Sequence, residues 1–149
     1  MIDFKDIFSE FLRRVPGARE TLSHASPERR MELSRWPEEA DLYDFLLMNF
    51  MHPILLPELS KESPDSSTLR ESFSFIEDLT ENPDEHIQGA LEFQVFDQFV
   101  VSEQTILKAF ENALPYSRQS FKEFLMGTYP NTYRLLIEKF PNFPPDRIE

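Results

Sequence analysis

The side chains with which this sequence could do chemistry are three histidines, 27 acidic residues and a scatter of serines; there is no cysteine. His24, His52 and His86 fall in three different segments. No two stand four residues apart, the spacing that puts two imidazoles on one helical face, and no H-E-x-x-H motif occurs. Without cysteine, disulfides, thiolate nucleophiles and Cys-based zinc sites are excluded. Gly17, Gly89 and Gly127 are isolated, whereas a loop that cradles phosphate needs several glycines close together so that backbone N–H groups can approach the anion. No serine sits in a G-x-S-x-G elbow.

Acid pairs occur at Glu38-Glu39, Glu77-Asp78 and Asp84-Glu85. Two carboxylates do acid–base work only when burial pushes their pKa values apart. Two of these pairs fall where acids stabilise the positive end of a helix dipole. Glu77 and Asp78 flank the apolar Ile76 and Leu79 and are expected to face solvent. No alternating acids with a central glycine form a calcium loop. The sequence therefore offers no catalytic, cofactor-binding or metal-ligating residue, and the expectation is a protein without enzymatic activity.

The acids carry meaning together. Net charge is −12 and it is unevenly spread. Residues 1–36 hold seven basic and six acidic groups, residues 37–76 two and eight, residues 77–111 one and nine, and residues 112–149 five and four. The negative middle repels a phosphate backbone, which needs clustered Lys and Arg, so nucleic acid is not expected as a partner. A field of that sign attracts and steers a basic protein. Lys108 is the single base of residues 77–111. The candidate partner-binding face is Glu77, Asp78, Glu81, Asp84, Glu85, Glu92 and Asp97. Two readings stand: an acidic docking face, or solvated acidic surface.

The elements that must position these residues are helices. Phe4, Ile7, Phe8, Phe11 and Leu12 follow one helical face and predict a helix over about Ile2 to Arg14, stopped by Pro16-Gly17. Ser26-Pro27-Glu28 starts a short helix to about Arg35. Trp36-Pro37-Glu38-Glu39 starts another to about Met51, ended by His52-Pro53. Residues 53–67 read as a loop with room for one turn near Leu59. Ser67 or Thr68 caps a helix to about Thr80, with Leu69, Phe73, Ile76 and Leu79 inside. Asn82-Pro83-Asp84-Glu85 opens a helix to about Phe99, and its wide apolar surface, Phe93 included, suggests neighbours on two sides. Further helices are expected from Ser102-Glu103 to Leu114, over Ser117 to Met126 with Gly127 as a left-handed C-cap, and from Pro130 to Phe140. The tail from Pro141 to Glu149 is expected to be extended. No segment alternates with period two.

The expected fold is all-α: one domain over residues 1–149, a bundle of seven or eight short helices in irregular antiparallel pairs. With 15 Phe and 40% hydrophobic residues, it has ample core material. The amphipathic start lacks a signal-peptide core, and the uncharged apolar stretch Phe45 to Leu56 is far short of the ~20 residues that span a bilayer. A cytoplasmic protein with no membrane partner is expected; its oligomeric state is left open.

Three segments carry a resemblance. They are Phe73-Ser74-Phe75-Ile76-Glu77-Asp78-Leu79, Glu81-Asn82-Pro83-Asp84-Glu85-His86-Ile87-Gln88, and Glu92-Phe93-Gln94-Val95-Phe96-Asp97-Gln98-Phe99. An apolar helix, a short acidic turn and a helix ending in aromatic-acid-x-aromatic, followed by Ile106 to Leu114 and Pro115, resemble small all-helical bacterial proteins. Those proteins are similar to the immunity proteins of polymorphic toxin systems. The resemblance covers about residues 69–125. It implies a stoichiometric inhibitor that docks on a cognate, commonly basic toxin domain and blocks it, with no catalytic residue to carry over. Tight docking needs aromatic anchors, for which Tyr43, Tyr116, Tyr129 and Phe143 are candidates. Two rival classes remain: an intracellular adaptor for an unrelated partner, and a helical metal-binding protein or enzyme in which a histidine converges with carboxylates.

Overall fold

Proline-punctuated apolar periods become helices in this structure, a computed structural model that describes residues 1–143. Among these residues there are nine continuous helices and no strand. Helix α1 (residues 4–14) opens with a 3-10 turn, Phe4–Asp6, and continues as Ile7–Arg14. Helix α2 is Ala18–Ser23 and α3 is Pro27–Ser34. Helix α4 (residues 42–60) joins Leu42–Phe45, a π-helical stretch Leu46–Leu55, and Leu56–Ser60. Helix α5 is Ser66–Thr80. Helix α6 (residues 85–99) joins Glu85–Leu91, a π turn Glu92–Phe96 and Asp97–Phe99. Helices α7, α8 and α9 are Glu103–Asn112, Pro115–Thr128 and Pro130–Lys139.

The all-helical expectation holds, with local corrections. Helix α2 was not expected; Gly17, at φ 85°, takes the left-handed turn that only glycine adopts cheaply and lets the chain restart at once. The helix expected to begin at Trp36-Pro37 begins at Leu42, capped by Asp41, whose carboxylate accepts the Asp44 N–H. It does not end at His52-Pro53. In an α-helix the Pro53 ring would clash with the carbonyl four residues back, but the wider π turn moves that carbonyl aside. The helix continues because Phe50, Met51, Ile54, Leu55 and Leu59 are all buried. Asp65, not Ser67 or Thr68, caps α5, accepting from the Thr68 N–H and hydroxyl. Gly127 lies inside α8 and is no left-handed cap, and Phe143, in the tail expected to be extended, is buried against Phe110 and Tyr133. The rest of that tail, residues 144–149, lies outside the described residues.

One continuous apolar cluster unites the helices. Phe11 packs edge-on against Phe45 at 5.0 Å and Phe50 at 6.0 Å, and Phe50 meets Phe75 at 5.4 Å. Phe121 meets Phe110 at 4.6 Å, Phe99 at 5.3 Å and Phe96 at 5.6 Å. Such ring pairs add about 0.5–1.5 kcal/mol each beyond the area they bury. Helix α5 lies at the centre, packed on α1, α4, α6, α7 and α8. Trp36 is held at the α1 side by stacking on Phe4 and by its Nε1–H, which donates to the Phe4 carbonyl at 2.8 Å.

The Glu77 carboxylate corrects the expectation that it faces solvent. Glu77 is 7% exposed. Its two oxygens accept the Tyr116 N–H at 2.9 Å and the Ser117 N–H at 2.6 Å, so it caps α8 from across the helix pair. The first N–H groups of a helix have no internal partner, and the helix dipole favours an anion there. Replacing Glu77 with Ala is expected to cost roughly 2–3 kcal/mol, the range for a hydrogen-bonded buried carboxylate. Glu92→Ala, on the surface, should stay within about 0.5 kcal/mol of the parent. Urea unfolding of both variants checks the difference.

Candidate docking surface

Four of the seven acids proposed from the sequence are committed to the fold. Glu77 caps α8. Asp78 lies 2.5 Å from the Arg14 guanidinium, which also donates to Ser74 Oγ, and this fixes α1 on α5. Asp84 is the N-cap of α6 and accepts the Ile87 N–H at 3.1 Å, while Asn82 Oδ1 accepts the Asp84 N–H. Asp97 accepts a hydrogen bond from the Tyr129 hydroxyl. That bond holds the Tyr129 phenol above its ordinary pKa of 10.0, because ionising the phenol would destroy the donor beside a carboxylate.

The other three acids remain on the surface. Glu81 lies 3.7 Å from the N-terminal amine. Glu85 and Glu92 are exposed, and neither has an ion-pair partner among the described residues. Between Arg70 and Lys108 the chain has no Lys or Arg at all, so α6 carries no counter-charge of its own.

Beside these acids the structure places a strip of rings. Phe93, expected to be inside, is 61% exposed. It stacks on Tyr43 of α4 at 6.4 Å, Tyr43 meets His86 at 5.4 Å, and His86 meets Phe4 at 5.9 Å. Tyr43 can lie this close to α6 because it crosses Gly89. A Cβ at Gly89 would clash with the Tyr43 hydroxyl oxygen. His86, Gly89 and Phe93 follow one helical stripe, with Glu85 and Glu92 at its edge. That spacing was the available sequence signal for Phe93 on the surface; the apolar character of Phe hid it.

The other proposed anchors fare differently. Tyr43 is half-buried in this strip, and Tyr116 is exposed at the start of α8, whereas Tyr129 is half-buried on Asp97 and Phe143 belongs to the core. Among the described residues no three His, Asp or Glu side chains cluster to hold a metal ion, and no helix is long and apolar enough to cross a membrane.

Compared with known proteins, the chain matches no family model, no curated protein and no solved structure. Fold and surface together define a class: an all-helical bundle presenting an acidic, aromatic face on α6.

Two outcomes are expected. Gly89→Ala should leave stability close to the parent, since ~1 kcal/mol of helix propensity offsets the cost of moving one half-buried ring. It should displace Tyr43, seen as changed ring-proton shifts of His86 and Phe93 in NMR spectra; unchanged shifts would mean that the helix yields instead. Spectrophotometric titration should find one of the four tyrosines ionising above pH 10.0, and Asp97→Asn should bring it back. The protonated phenol is the donor, so its stabilisation is complete below pH 10.0 and is lost as pH rises through the folded-state value.

Proposed function

We propose that this protein is a binding module without catalysis, which docks the acidic, aromatic face of α6 on a basic patch of a partner protein. One observation carries the reading: exposed Phe93, stacked on Tyr43, is bordered by Glu85 and Glu92 on a helix without a single Lys or Arg. Rings of this kind give large contact area at low entropic cost and form the centres of interfaces. Arg guanidinium stacks on aromatic faces while pairing with carboxylates, so a partner rich in Arg or Lys satisfies both features at once. The surplus negative field steers such a partner and speeds encounter.

In the form that the resemblance implies, the partner is a cognate bacterial toxin domain and the protein is its immunity protein, working in the cytoplasm by occupying the toxin's surface. Inhibition by occupancy asks no chemistry of the inhibitor, in keeping with a sequence that offers no catalytic constellation. Glu81, Glu85 and Glu92 serve the partner, whereas Glu77, Asp78, Asp84 and Asp97 serve the fold.

The test is recovery of the partner from the native cell by the tagged protein and by two variants. Phe93→Ala is expected to weaken the complex by about 2 kcal/mol, or roughly thirtyfold, as a hot-spot truncation. Charge reversal of Glu81, Glu85 and Glu92 to Lys is expected to lower the association rate at least ~10-fold, with the gap narrowing as salt rises. A partner retained equally by both variants overturns the assignment of this face. In the toxin form of the reading, cells expressing the toxin survive with the parent protein and die with the triple variant.

A further inference from the structure

A cavity of about 270 Å³ opens between α6 and α8. Gln88 and Glu92 line it from α6, and Glu123, Phe124, Gly127 and Thr128 line it from α8. Its polar wall is built to accept hydrogen bonds. Glu92 and Glu123 are exposed, and a carboxylate only accepts. Glu123 takes the Gln119 amide on one oxygen at 3.0 Å, which leaves the other for a ligand. Gln88 donates through its amide nitrogen to the Thr80 and Asn82 carbonyls at 2.9 and 2.6 Å. Both of its N–H groups are thereby spent, so toward the cavity it has only Oε1 to offer. Gly127 and Thr128 end α8, where the last carbonyls form the negative end of the helix dipole. No Lys, Arg or His among the described residues lines this cavity, whereas Arg29, Lys61 and Arg70 stand in the walls of others.

Gly127 is a separate observation. It lies inside α8 without a left-handed φ, and a Cβ there would meet nothing within 4 Å. The fold itself therefore does not call for glycine, which is less favourable in a helix than alanine. Glycine also serves where another molecule must approach the backbone closely, and Gly127 lies in the cavity wall.

We infer that this cavity receives one arginine side chain of the basic partner, an inference that rests on the docking reading above. A guanidinium has five N–H donors and no acceptor, the complement of a wall of acceptors. Its planar fork pairs with two carboxylates, whereas an ammonium is a point charge. Its apolar stem lies along the exposed edge of Phe124. The volume is many times the ~30 Å³ of one water in the liquid, room for a side chain rather than a bare ion. Glu92 borders both this cavity and the Phe93 ring, so a single partner patch can engage the two together.

The experiment is an NMR titration of the ¹⁵N-labelled full chain at low salt with N-acetyl-arginine methylamide and with its lysine and citrulline analogues. Saturable shifts are expected at the Gly127 and Thr128 amides and the Gln88 side chain with the arginine compound, weaker ones with lysine, and none with citrulline, which keeps the shape and loses the charge. Glu123→Gln, which can keep the bond to Gln119, is expected to weaken the arginine compound about tenfold, the loss of one charge-assisted hydrogen bond. Gly127→Ala is expected to raise the Tm and weaken binding together, a pairing that a purely structural glycine would not give. No saturable shift, an equal response to citrulline, or an affinity that Glu123→Gln and Gly127→Ala both leave intact overturns the inference. In the partner assay, Phe93→Ala reads the ring strip separately: a partner lost with Phe93→Ala but fully held by Glu123→Gln overturns the cavity and spares the face.

Discussion

Glu77 reaches from the centre of the bundle into the first turn of another helix, and the second half of the core rests on that contact. Helix α8 begins with Pro115 and has no side-chain cap of its own. Its Tyr116 and Ser117 N–H groups would be orphaned without the carboxylate. A buried, unpaired N–H costs about 1–3 kcal/mol, and a buried, unpaired carboxylate costs more, so each group makes the other tolerable. With the cap in place α8 is fixed on α5 and carries Phe121, Phe124 and Leu125 into the rings of Phe96, Phe99 and Phe110. Helix α5 is therefore held on both sides by charge: Asp78 takes Arg14 of α1, and the preceding residue takes the end of α8.

The two π-helical stretches are the second constraint. They pack against one another, one in α4 and one in α6. In α4 the widened turn carries the helix through Pro53 and leaves Asn49 buried. In α6 the stretch from Glu92 to Phe96 holds Phe93 out of the core and in reach of Tyr43. A π turn costs hydrogen-bond geometry, a cost the packing of the two helices outweighs. The two distortions accompany opposite placements: a buried carboxamide at Asn49 in α4 and an exposed ring at Phe93 in α6.

Acidity divides into two kinds with different physics. Glu77, Asp78, Asp84 and Asp97 meet N–H, guanidinium or hydroxyl donors, and their charge is used locally. Glu81, Glu85 and Glu92 stand in solvent, where their charge is felt by whatever approaches. Glu81 has the N-terminal amine 3.7 Å away, whereas Glu85 and Glu92, with no counter-charge among the described residues, add nothing to the fold. Glu85 and Glu92 border the exposed ring of Phe93 on α6.

The sequence by itself determined the helices and their class. Phe4 to Leu12, Leu69 to Leu79 and Ile106 to Phe110 repeat at helical spacing, and Ser26-Pro27 and Ser102-Glu103 mark starts that the structure keeps, because caps and periodicity act over a few residues. It also determined the sign and placement of the charge, which do not depend on folding. Tertiary structure alone decided what each acid does. Nothing local separates Glu77 from Glu85, since only packing brings the orphaned N–H groups of α8 to one of them. Tertiary packing likewise carried α4 past Pro53, because burial of Phe50 through Leu59 outweighs the local penalty. It exposed Phe93 and enclosed Asn49 as well, since which face of a helix is covered depends on neighbours distant in sequence.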